Sequence, residues 1–401
     1  MNSVGIDVSK GKSMICVIRP FGEIVASPFE VTHTVSELGK LVHLLQSLNG
    51  ETKVIMECTG SYHLPIANAL QSAGLFVSAV NPQLIHGFGN NSIRKRKNDK
   101  ADALKIANYG LANWIDLPGY VPDEDIRQSL KAFSRQYNKY NKVKTMLTNN
   151  LISLLDQTFP CLKELFTSQA RQKDGHEKWL DFASRFWHCE CVGSLSLKAF
   201  TEAYGKWCKR NGYYCMRADE IHAAARACAY IIPKSEATKS LITHAVTQVN
   251  AVVESLASVA REMKRLAALL PEYPVVLAFR GVGEILGPQL MAEIGDVRRF
   301  SKKSSLVCFA GLEPVDDQSG KFQGDEDISK QGSPHLRKAL FQVMDGLLKC
   351  SPTDDPVYQF LDRKRAEKKH YYCYMNAGAA KFLRIYYARV KEYLMKLEES
   401  A

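Results

Sequence analysis

Five short apolar runs near the N-terminus constrain the fold more than any other feature of the chain. Three of them, SVGIDVSK, SMICVIRP and EIVASPFEV, are broken only by Gly, Lys and Pro, which predicts consecutive strands joined by tight turns. The other two, KVIMECTG and LFVSAVNP, alternate with segments of helical character at 34–48 and about 65–73. Hairpin-linked strands followed by alternating helix and strand predict an α/β domain with a mixed sheet flanked by helices.

Two long polar segments with regularly spaced apolar residues follow this domain. Apolar residues recur every three or four positions over 124–156 and 236–269, which predicts an antiparallel helical pair or coiled coil. The intervening segment 157–235 is less regular and rich in aromatic residues and Cys. We therefore predict an inserted subdomain between the two long helices.

The C-terminal part is predicted to be mainly α-helical. Helical patterns occur at 334–350 and 376–397, whereas 315–330 is Gly-rich and polar and predicts a loop. The run RGVGEILGPQLMAEIGD resembles a helix-hairpin-helix, whose Gly-Val-Gly turn would leave backbone amides free to meet phosphate. The predicted domains are an α/β domain at 1–120, a helical region at 121–270 and a C-terminal domain at 271–401.

The charge of the chain favours a polyanionic partner. Lys and Arg number 53 against 42 Asp and Glu, a formal net charge of +11, which is typical of nucleic-acid binding. The chain contains no apolar run of about 18 residues, and it begins with an apolar strand rather than a signal peptide. We expect a soluble cytoplasmic protein that does not enter a membrane.

Acidic residues interrupt the apolar segments of the α/β domain. Asp7 lies within the strand VGIDVS, Glu57 ends the strand VIMECTG, and Asp99 and Asp102 share one face of a predicted helix. Four such carboxylates can hold two Mg²⁺ ions, which activate a nucleophile and stabilise the leaving oxygen at a phosphodiester. In the simpler interpretation, Asp7 is a turn or cap residue and Asp99 is the N-cap of its helix.

The eleven cysteines are spread singly along the chain, which favours reduced, mostly buried thiols. Cys189, Cys191, Cys208 and Cys215, together with His188, form the one group that could be considered as a zinc site. Their spacing is not the usual Cys-x-x-Cys, and we expect core thiols instead.

Two separate blocks of the chain match one known family. GIDVSK, the strand with MECTG and the block RKRKNDKADALKIA resemble the N-terminal RuvC-like domain of the DEDD insertion-sequence recombinases, the IS110 group. The stretch from RGVGEILG to SPHLRKAL resembles the C-terminal transposase domain of that family. The resemblance covers roughly the first hundred and the last hundred and thirty residues, on either side of a helical middle.

This resemblance implies a fold and an activity. It implies a ribonuclease-H-like first domain, with Mg²⁺ held by Asp7, Glu57, Asp99 and Asp102. It also implies a DNA recombinase that excises and inserts a mobile element, acting on double-stranded donor and target DNA. A structured non-coding guide RNA would pair with both DNAs, so that the protein reads shape and the RNA reads sequence.

The family also uses a serine in the C-terminal domain to form a covalent link to DNA. The best match is Ser319 in DDQSGKF, where the following Gly permits close approach of the backbone to a phosphate. A serine hydroxyl is a weak nucleophile and needs a base or a metal, which the acidic residues could provide. The reserve candidates are Ser329, Ser333 and Ser305. By pattern alone, a Ser-Gly pair in a polar loop is a turn.

Basic residues near these motifs are the candidates for contacts with nucleic acid. In the alternative interpretation, these basic residues form a solvated charged surface. These candidates are Arg94, Lys95, Arg96, Lys97, Lys100, Arg298, Arg299, Lys302, Lys303, Lys321 and Lys330.

A second basic run lies near the C-terminus and is followed by aromatic residues. It extends from Arg363 to Lys369 and precedes Tyr371, Tyr372 and Tyr374. Basic charge next to aromatic rings suits stacking on unpaired bases, and a helix face with buried Tyr is the alternative.

Two other functions remain open at this point. A RuvC-like nuclease could hydrolyse DNA junctions with water and magnesium, and it would leave no protein–DNA adduct. A non-enzymatic nucleic-acid-binding protein could share the same charge. Strand exchange requires at least two active centres, so we expect a homo-oligomer, a dimer or tetramer.

Overall fold

The computed structural model describes residues 1–58, 60–88, 98–121, 124–171, 174–314, 318–319, 322–323 and 328–399, of which 318–319 and 322–323 are described by their backbone alone. The chain forms two compact units, Met1–Pro122 and Asp123–Ala401. The predicted roles of the three domains stay predictions.

The first unit is built on a five-stranded mixed sheet. Its order is β3-β2-β1-β4-β5, in which β1 pairs antiparallel with β2 and parallel with β4. Gly11, in the β1–β2 turn, adopts a left-handed conformation that favours glycine. The predicted mixed sheet is thereby confirmed. The strands are β1 (Asn2–Ser9), β2 (Lys12–Ile18), β3 (Ile24–Thr32), β4 (Thr52–Glu57) and β5 (Phe76–Val80).

Helices cover both faces of this sheet. Thr34 caps the first helix by accepting a hydrogen bond from the backbone N–H of Glu37, at 3.3 Å. Val4, Ile6 and Val8 face one hydrophobic cluster, which includes residues of α1 and α2, because alternate residues of a strand point to the same side. The helices are α1 (Val35–Gln46), α2 (Leu64–Ser72), α3 (Pro82–Gly87) and α4 (Asp99–Ala112).

Two long helices form the frame of the second unit. α5 (Asp125–Leu155) and α10 (Glu236–Ala267) run antiparallel, since Leu130 shares a hydrophobic cluster with Met263 while Leu155 shares one with Ile242. Both helices lie where the sequence predicts them. The helices between them are α6 (Lys178–Arg185), α7 (Glu190–Gly193), α8 (Leu197–Asn211) and α9 (Ala218–Ala227).

The inserted segment has an aromatic core. Phe182, Phe200 and Tyr204 are fully buried, and their rings lie 5.5–5.7 Å apart in the Phe182–Tyr204 and Phe200–Tyr204 pairs. The same cluster includes Leu151 of α5 and Val246 of α10. The insert therefore packs on one end of the long helical pair.

The remaining helices enclose a second core. α16 packs against α11, α13, α14 and α15. It begins five residues before the predicted segment, because Tyr374 and Met375 continue its buried face. The elements are α11 (Tyr273–Leu277), α12 (Leu286–Ile294), α13 (Lys303–Ala310), β6 (Gln318–Ser319), β7 (Phe322–Gln323), α14 (Pro334–Cys350), α15 (Pro356–Ala366) and α16 (Tyr371–Glu399). Short 3-10 turns occur at Pro20–Gly22, Leu162–Leu165 and Val297–Arg299.

None of the helices within the described ranges combines the length and apolar character needed to cross a membrane.

A buried ion pair joins the start of α5 to the segment after α10. The Arg127 guanidinium lies 2.5 Å from the Glu272 carboxylate, and the two side chains are only 3% and 2% exposed. Glu124, which is largely exposed, lies 3.4 Å from the same guanidinium. A buried charge without its partner is far more costly than a lost surface contact.

We therefore expect Glu272→Gln to lower the free energy of unfolding by about 3 kcal/mol, since it leaves the Arg127 charge buried without its main partner. Glu124→Gln is the matched control and should cost at most about 1 kcal/mol. Urea unfolding of the three proteins measures the difference. Equal losses in the two variants would contradict the importance of the buried pair.

Candidate catalytic site

Helix α4 lies directly on strand β1, and small residues allow the contact. The Ser3 hydroxyl donates to the Ala107 carbonyl at 2.7 Å. A Cβ atom at Gly5 would lie 2.1 Å from the carbonyl oxygen of Ala103, a distance that no side chain tolerates. As β1 proceeds from Ser3 to Gly5, its contacts move along α4 toward the N-terminus of that helix. Asp7, two residues further on the same face, is therefore directed toward the first turn of α4.

Strand β4 brings Glu57 to the same face of the sheet. β1 and β4 are parallel, with Gly5 opposite Ile55 and Ile6 opposite Met56, so the register continues to Asp7 and Glu57. α4 covers both strands, because a Cβ at Gly110 would lie 2.4 Å from the Ile55 side chain. The two strand-borne acids thus occupy neighbouring positions at the carboxyl ends of adjacent strands.

The first turn of α4 supplies the other two acids. The Asn98 side chain accepts a hydrogen bond from the Ala101 backbone N–H at 2.8 Å and is the N-cap of the helix. The interpretation of Asp99 as that N-cap is therefore wrong. Asp99 and Asp102 both lie in the first helical turn, where the helix dipole favours negative charge.

The four carboxylates repel one another in the protein alone. Burial, together with the negative charges of Asp102 and Asp99, raises the pKa of Asp7 to about 6. Burial also raises the pKa of Glu57, as do Asp7 and Asp102, whereas the nearby ammonium of Lys105 acts in the opposite direction. This repulsion is the cost that a bound cation would offset.

The acidic side chains nonetheless lie apart from one another. Within the described ranges, no three His, Cys, Asp or Glu side chains lie close enough together to hold a metal ion as placed. The site residues are thus electrostatically coupled, and a metal would have to draw their carboxylates together. Oxygen donors from acidic side chains are the ligand type that Mg²⁺ prefers.

The predicted nucleophile lies in a β-hairpin of the second unit. Gln318 pairs with Gln323 and Ser319 with Phe322, and Pro314 forms a bridge with Ile328 at the base. The expectation of a loop over 315–330 is corrected here, since two-residue strands pair within it. The side chain of Ser319 lies outside the described residues.

Hydrogen bonds join the two sides of the hairpin root. The Ser329 hydroxyl donates to the Glu313 carboxylate at 2.7 Å, and the Ser329 backbone N–H donates to the Glu313 carbonyl at 2.9 Å. Ser333 caps α14 by accepting from the Leu336 N–H at 3.2 Å. Ser305 shares a 3.4 Å contact with the Ser301 hydroxyl. Two reserve candidates, Ser329 and Ser333, therefore have structural roles.

The basic candidates divide into three groups. Arg298 is held by the carboxylates of Asp296 and Glu398, and Arg299 lies over the rings of Phe300 and Phe309, 4.7 Å from each centroid. These two arginines therefore stabilise the fold. Lys100, Lys302, Lys303 and Lys330 are exposed, and their contact with nucleic acid stays a prediction. Arg94, Lys95, Arg96, Lys97 and Lys321 lie outside the described residues.

The Gly-Val-Gly turn has a packing role. Gly281 adopts a left-handed conformation, and a Cβ there would lie 3.0 Å from the carbonyl oxygen of Val343 in α14. The turn separates α11 from α12, as the helix-hairpin-helix pattern suggests. Its contact with phosphate stays a prediction.

The cysteine group of the insert does not have the character of a zinc site. His188 bonds the Ile232 carbonyl through one ring nitrogen, at 3.0 Å, and accepts from the Glu190 backbone N–H through the other, at 3.1 Å. Burial raises the pKa of the Cys189 thiol to about 12, which disfavours the thiolate that zinc requires. Cys208 is also buried, whereas Cys215 is exposed.

One buried polar group near the hairpin escaped the reasoning from sequence. Glu293 is 2% exposed in α12, receives the Arg135 guanidinium at 3.1 Å, and accepts from the Ser333 hydroxyl at 3.3 Å. The sequence signal for this buried group is the single acidic residue, Glu293, in the otherwise apolar run LMAEI. Its partners are remote in sequence, so the pattern alone could not identify them.

Comparison with known families gives two matches. Residues 4–160 match a family model of the IS110 DEDD type, described as a transposase, and residues 274–359 match the transposase model of the IS116/IS110/IS902 family. The chain therefore carries two transposase domains of that family, one over the acidic residues and one over the hairpin.

Curated relatives have names of the same kind. The chain is 24% identical to the pilin gene-inverting proteins of Moraxella bovis and Moraxella lacunata, over 72% of its own length and 65% of theirs. It is 22% identical to the transposase for insertion sequence element IS1111A of Coxiella burnetii, over 86% of this chain and 78% of that protein. The match thus spans slightly less than two thirds of the gene-inverting proteins. These names agree with the predicted enzyme class.

Gly5→Ala should displace α4 and destabilise the first unit by about 1–3 kcal/mol, because backbone atoms leave no space for a methyl group. Gly39→Ala is the control: no atom lies within 4 Å of a Cβ at that helical position, so a gain of about 0.5–1 kcal/mol is expected. Thermal unfolding compares them. A Gly5→Ala protein as stable as the wild type would contradict the close contact of helix and strand.

Asp7→Asn should stabilise the metal-free protein at neutral pH. Folding raises the pKa of Asp7 from 3.8 to about 6, so the wild type loses stability as pH rises through that interval, and the penalty persists above it. Because the side chain is half-exposed, solvent screening limits the difference to about 1 kcal/mol. Unfolding in EDTA at pH 3.5 and pH 8 tests this. A difference between the proteins that does not change with pH would contradict the charge repulsion.

Proposed function

We propose that this chain is a transposase that cuts and rejoins DNA strands at the ends of a mobile element, acting on double-stranded donor and target DNA. The observation that carries the proposal is the electrostatic coupling of Asp7 and Glu57 to the acids in the first turn of α4, inside a matched transposase domain. The second matched domain contains the hairpin in which Ser319 pairs with Phe322.

The strand order supports a ribonuclease-H-like, RuvC-like first domain. Three antiparallel strands are followed by two strands parallel to β1, with helices on both faces. In our proposal, Asp7 and Glu57 lie at strand ends and Asp99 and Asp102 at a helix start, which gives rigid support to each carboxylate.

Asp7, Glu57, Asp99 and Asp102 would hold magnesium. The donor set fits, since all four ligands are carboxylates and their mutual repulsion favours a cation. Bound magnesium would supply charge stabilisation at the phosphate and at the departing oxygen. Lys105, whose charge acts on Glu57, would limit the repulsion while the site is empty of substrate.

Ser319 would act as the nucleophile. Its hydroxyl oxygen forms a bond to the DNA phosphorus while the bond from phosphorus to a deoxyribose oxygen breaks. The serine proton passes to a base, and the departing oxygen gains a proton, so a serine–DNA phosphodiester and a free deoxyribose hydroxyl result. A second DNA hydroxyl then attacks this phosphodiester and restores the serine. The energy of the broken bond is retained in the intermediate, so rejoining needs no ATP.

The proposal also includes a structured guide RNA, and it includes assembly of the protein into a homodimer or homotetramer. The net charge of +11 supports affinity for several nucleic-acid strands, without indicating which. Sequencing the RNA that copurifies with the protein tests the guide. A changed guide sequence should redirect insertion, and insertion that ignores the change would remove the RNA from the account.

Ser319→Ala should abolish the covalent protein–DNA adduct that survives denaturation, while leaving affinity for duplex DNA within about twofold, since the hydroxyl contributes little to binding. Ser305→Ala is the control and should form the adduct normally. Denaturing gels with end-labelled DNA detect it.

The same assay separates the proposed recombinase from a nuclease. A junction nuclease that uses water would cleave without any adduct, and an undiminished adduct in Ser319→Ala would show that another residue is the nucleophile. Asp7→Asn should lose both cleavage and adduct yet bind duplex DNA as the wild type does. Full activity in Asp7→Asn would exclude the acidic site.

A further inference from the structure

A pocket of about 550 Å³ opens beside the root of the serine hairpin, between helices α14 and α16. Its wall includes Ile328 at the hairpin base, where the bridge to Pro314 closes the hairpin. The volume is that of a site for a small organic group. Neither matched family nor the proposed chemistry assigns a ligand to it. The polar and aromatic side chains that line the pocket are those of Lys330, Arg337, Lys338, Phe341, Tyr372 and Asn376.

The charged part of the lining is entirely positive. Lys330, Arg337 and Lys338 contribute three cations, and no carboxylate belongs to the wall among the residues that the structure describes. The Arg337 guanidinium donates to the Ala310 carbonyl at 2.9 Å, and the Lys338 ammonium donates to the Asn138 side chain at 2.5 Å. These two hydrogen-bond acceptors are neutral and orient the Arg337 and Lys338 side chains, while the Glu313 carboxylate acts on Arg337 electrostatically. Burial lowers the pKa of Arg337 and Lys338, which an incoming anion would reverse.

The opposite part of the lining is aromatic. The rings of Phe341 and Tyr372 lie 6.3 Å apart and are tilted by 44°. Tyr372 is 60% exposed, so its ring is accessible to a ligand. Each of the two helices thus offers one ring for stacking on a planar group.

A polar atom in the wall completes the recognition pattern. The side-chain oxygen of Asn376 is buried and has no hydrogen-bond donor among the residues that the structure describes. An unsatisfied buried acceptor is costly, and a ligand with an N–H group would satisfy it. Cations, aromatic rings and one acceptor together match a phosphate joined to a planar base that carries an amino group.

We propose that this pocket receives one nucleotide turned out of the DNA duplex beside the phosphodiester that Ser319 attacks. The base stacks on Phe341 and Tyr372, its amino group donates to Asn376, and its phosphate approaches Arg337 and Lys338. Removal of a base from the duplex costs a few kcal/mol, and stacking on protein rings returns about 1–3 kcal/mol per base. This assignment rests on the proposed function, since it places the pocket at the DNA end that the enzyme cleaves.

The test compares two short fluorescein-labelled DNA duplexes, one fully paired and one with a single unpaired adenine. Wild-type protein should bind the second about tenfold more tightly, the amount that one stacked base supplies. Tyr372→Ala should reduce this ratio to about twofold or less. Tyr214→Ala is the matched control: this ring is also exposed but is outside the pocket wall, so the ratio should remain.

A second experiment tests the proposed hydrogen bond from the base to the side-chain oxygen of Asn376. Wild-type protein should bind the duplex with unpaired adenine more tightly than one with unpaired purine, which has no amino group. Asn376→Leu removes an unsatisfied polar atom, so the variant should fold normally, and it should bind the two duplexes equally.

Equal affinity of the wild type for paired and unpaired duplexes would overturn the proposal, and so would an undiminished ratio in Tyr372→Ala. Stronger binding of the corresponding RNA duplex would overturn the assignment to DNA. Adduct formation by the wild type on the same duplexes reports the proposed function separately. If the adduct forms and the affinity ratio is one, the pocket assignment fails while the transposase assignment stands.

Discussion

The close contact between helix α4 and strand β1 is the constraint on which the candidate site depends. The backbone of Gly5 touches the helix at Ala103, and the Ser3 hydroxyl fixes Ala107 one turn further along. This contact sets the direction and the depth of the helix on the sheet. As a consequence, the first turn of α4, with Asp99 and Asp102, comes to the end of the sheet where Asp7 lies two residues before the end of β1 and Glu57 ends β4.

The same geometry explains why the site is electrostatically unfavourable in the protein alone. Burial and the like charges of Asp102 and Asp99 raise the pKa of Asp7, and no arginine of the described residues is among the groups that act on it. Functional sites often retain such a cost because it is recovered when the ligand binds. The buried pair of Arg127 and Glu272 differs, since there opposite charges meet and the pairing itself stabilises the second unit.

Local patterns in the sequence predicted the sheet and the two long helices, because strand alternation and helical periodicity depend on neighbouring residues. Features set by tertiary contacts were beyond that reasoning. Asn98 rather than Asp99 caps α4, and both suit the position equally by type. The partners of Arg298 include Glu398, a hundred residues away. The strands β6 and β7 have only two residues each, too few to carry a periodic signal.

The most direct measurement of the central claim is anomalous diffraction from crystals of the protein with bound DNA and Mn²⁺, a cation that replaces Mg²⁺ at carboxylate sites. The account predicts an anomalous peak bounded by the carboxylates of Asp7, Glu57, Asp99 and Asp102, and its loss in Asp102→Asn crystals. A peak elsewhere with these four side chains apart, or a peak unchanged in the variant, would contradict it.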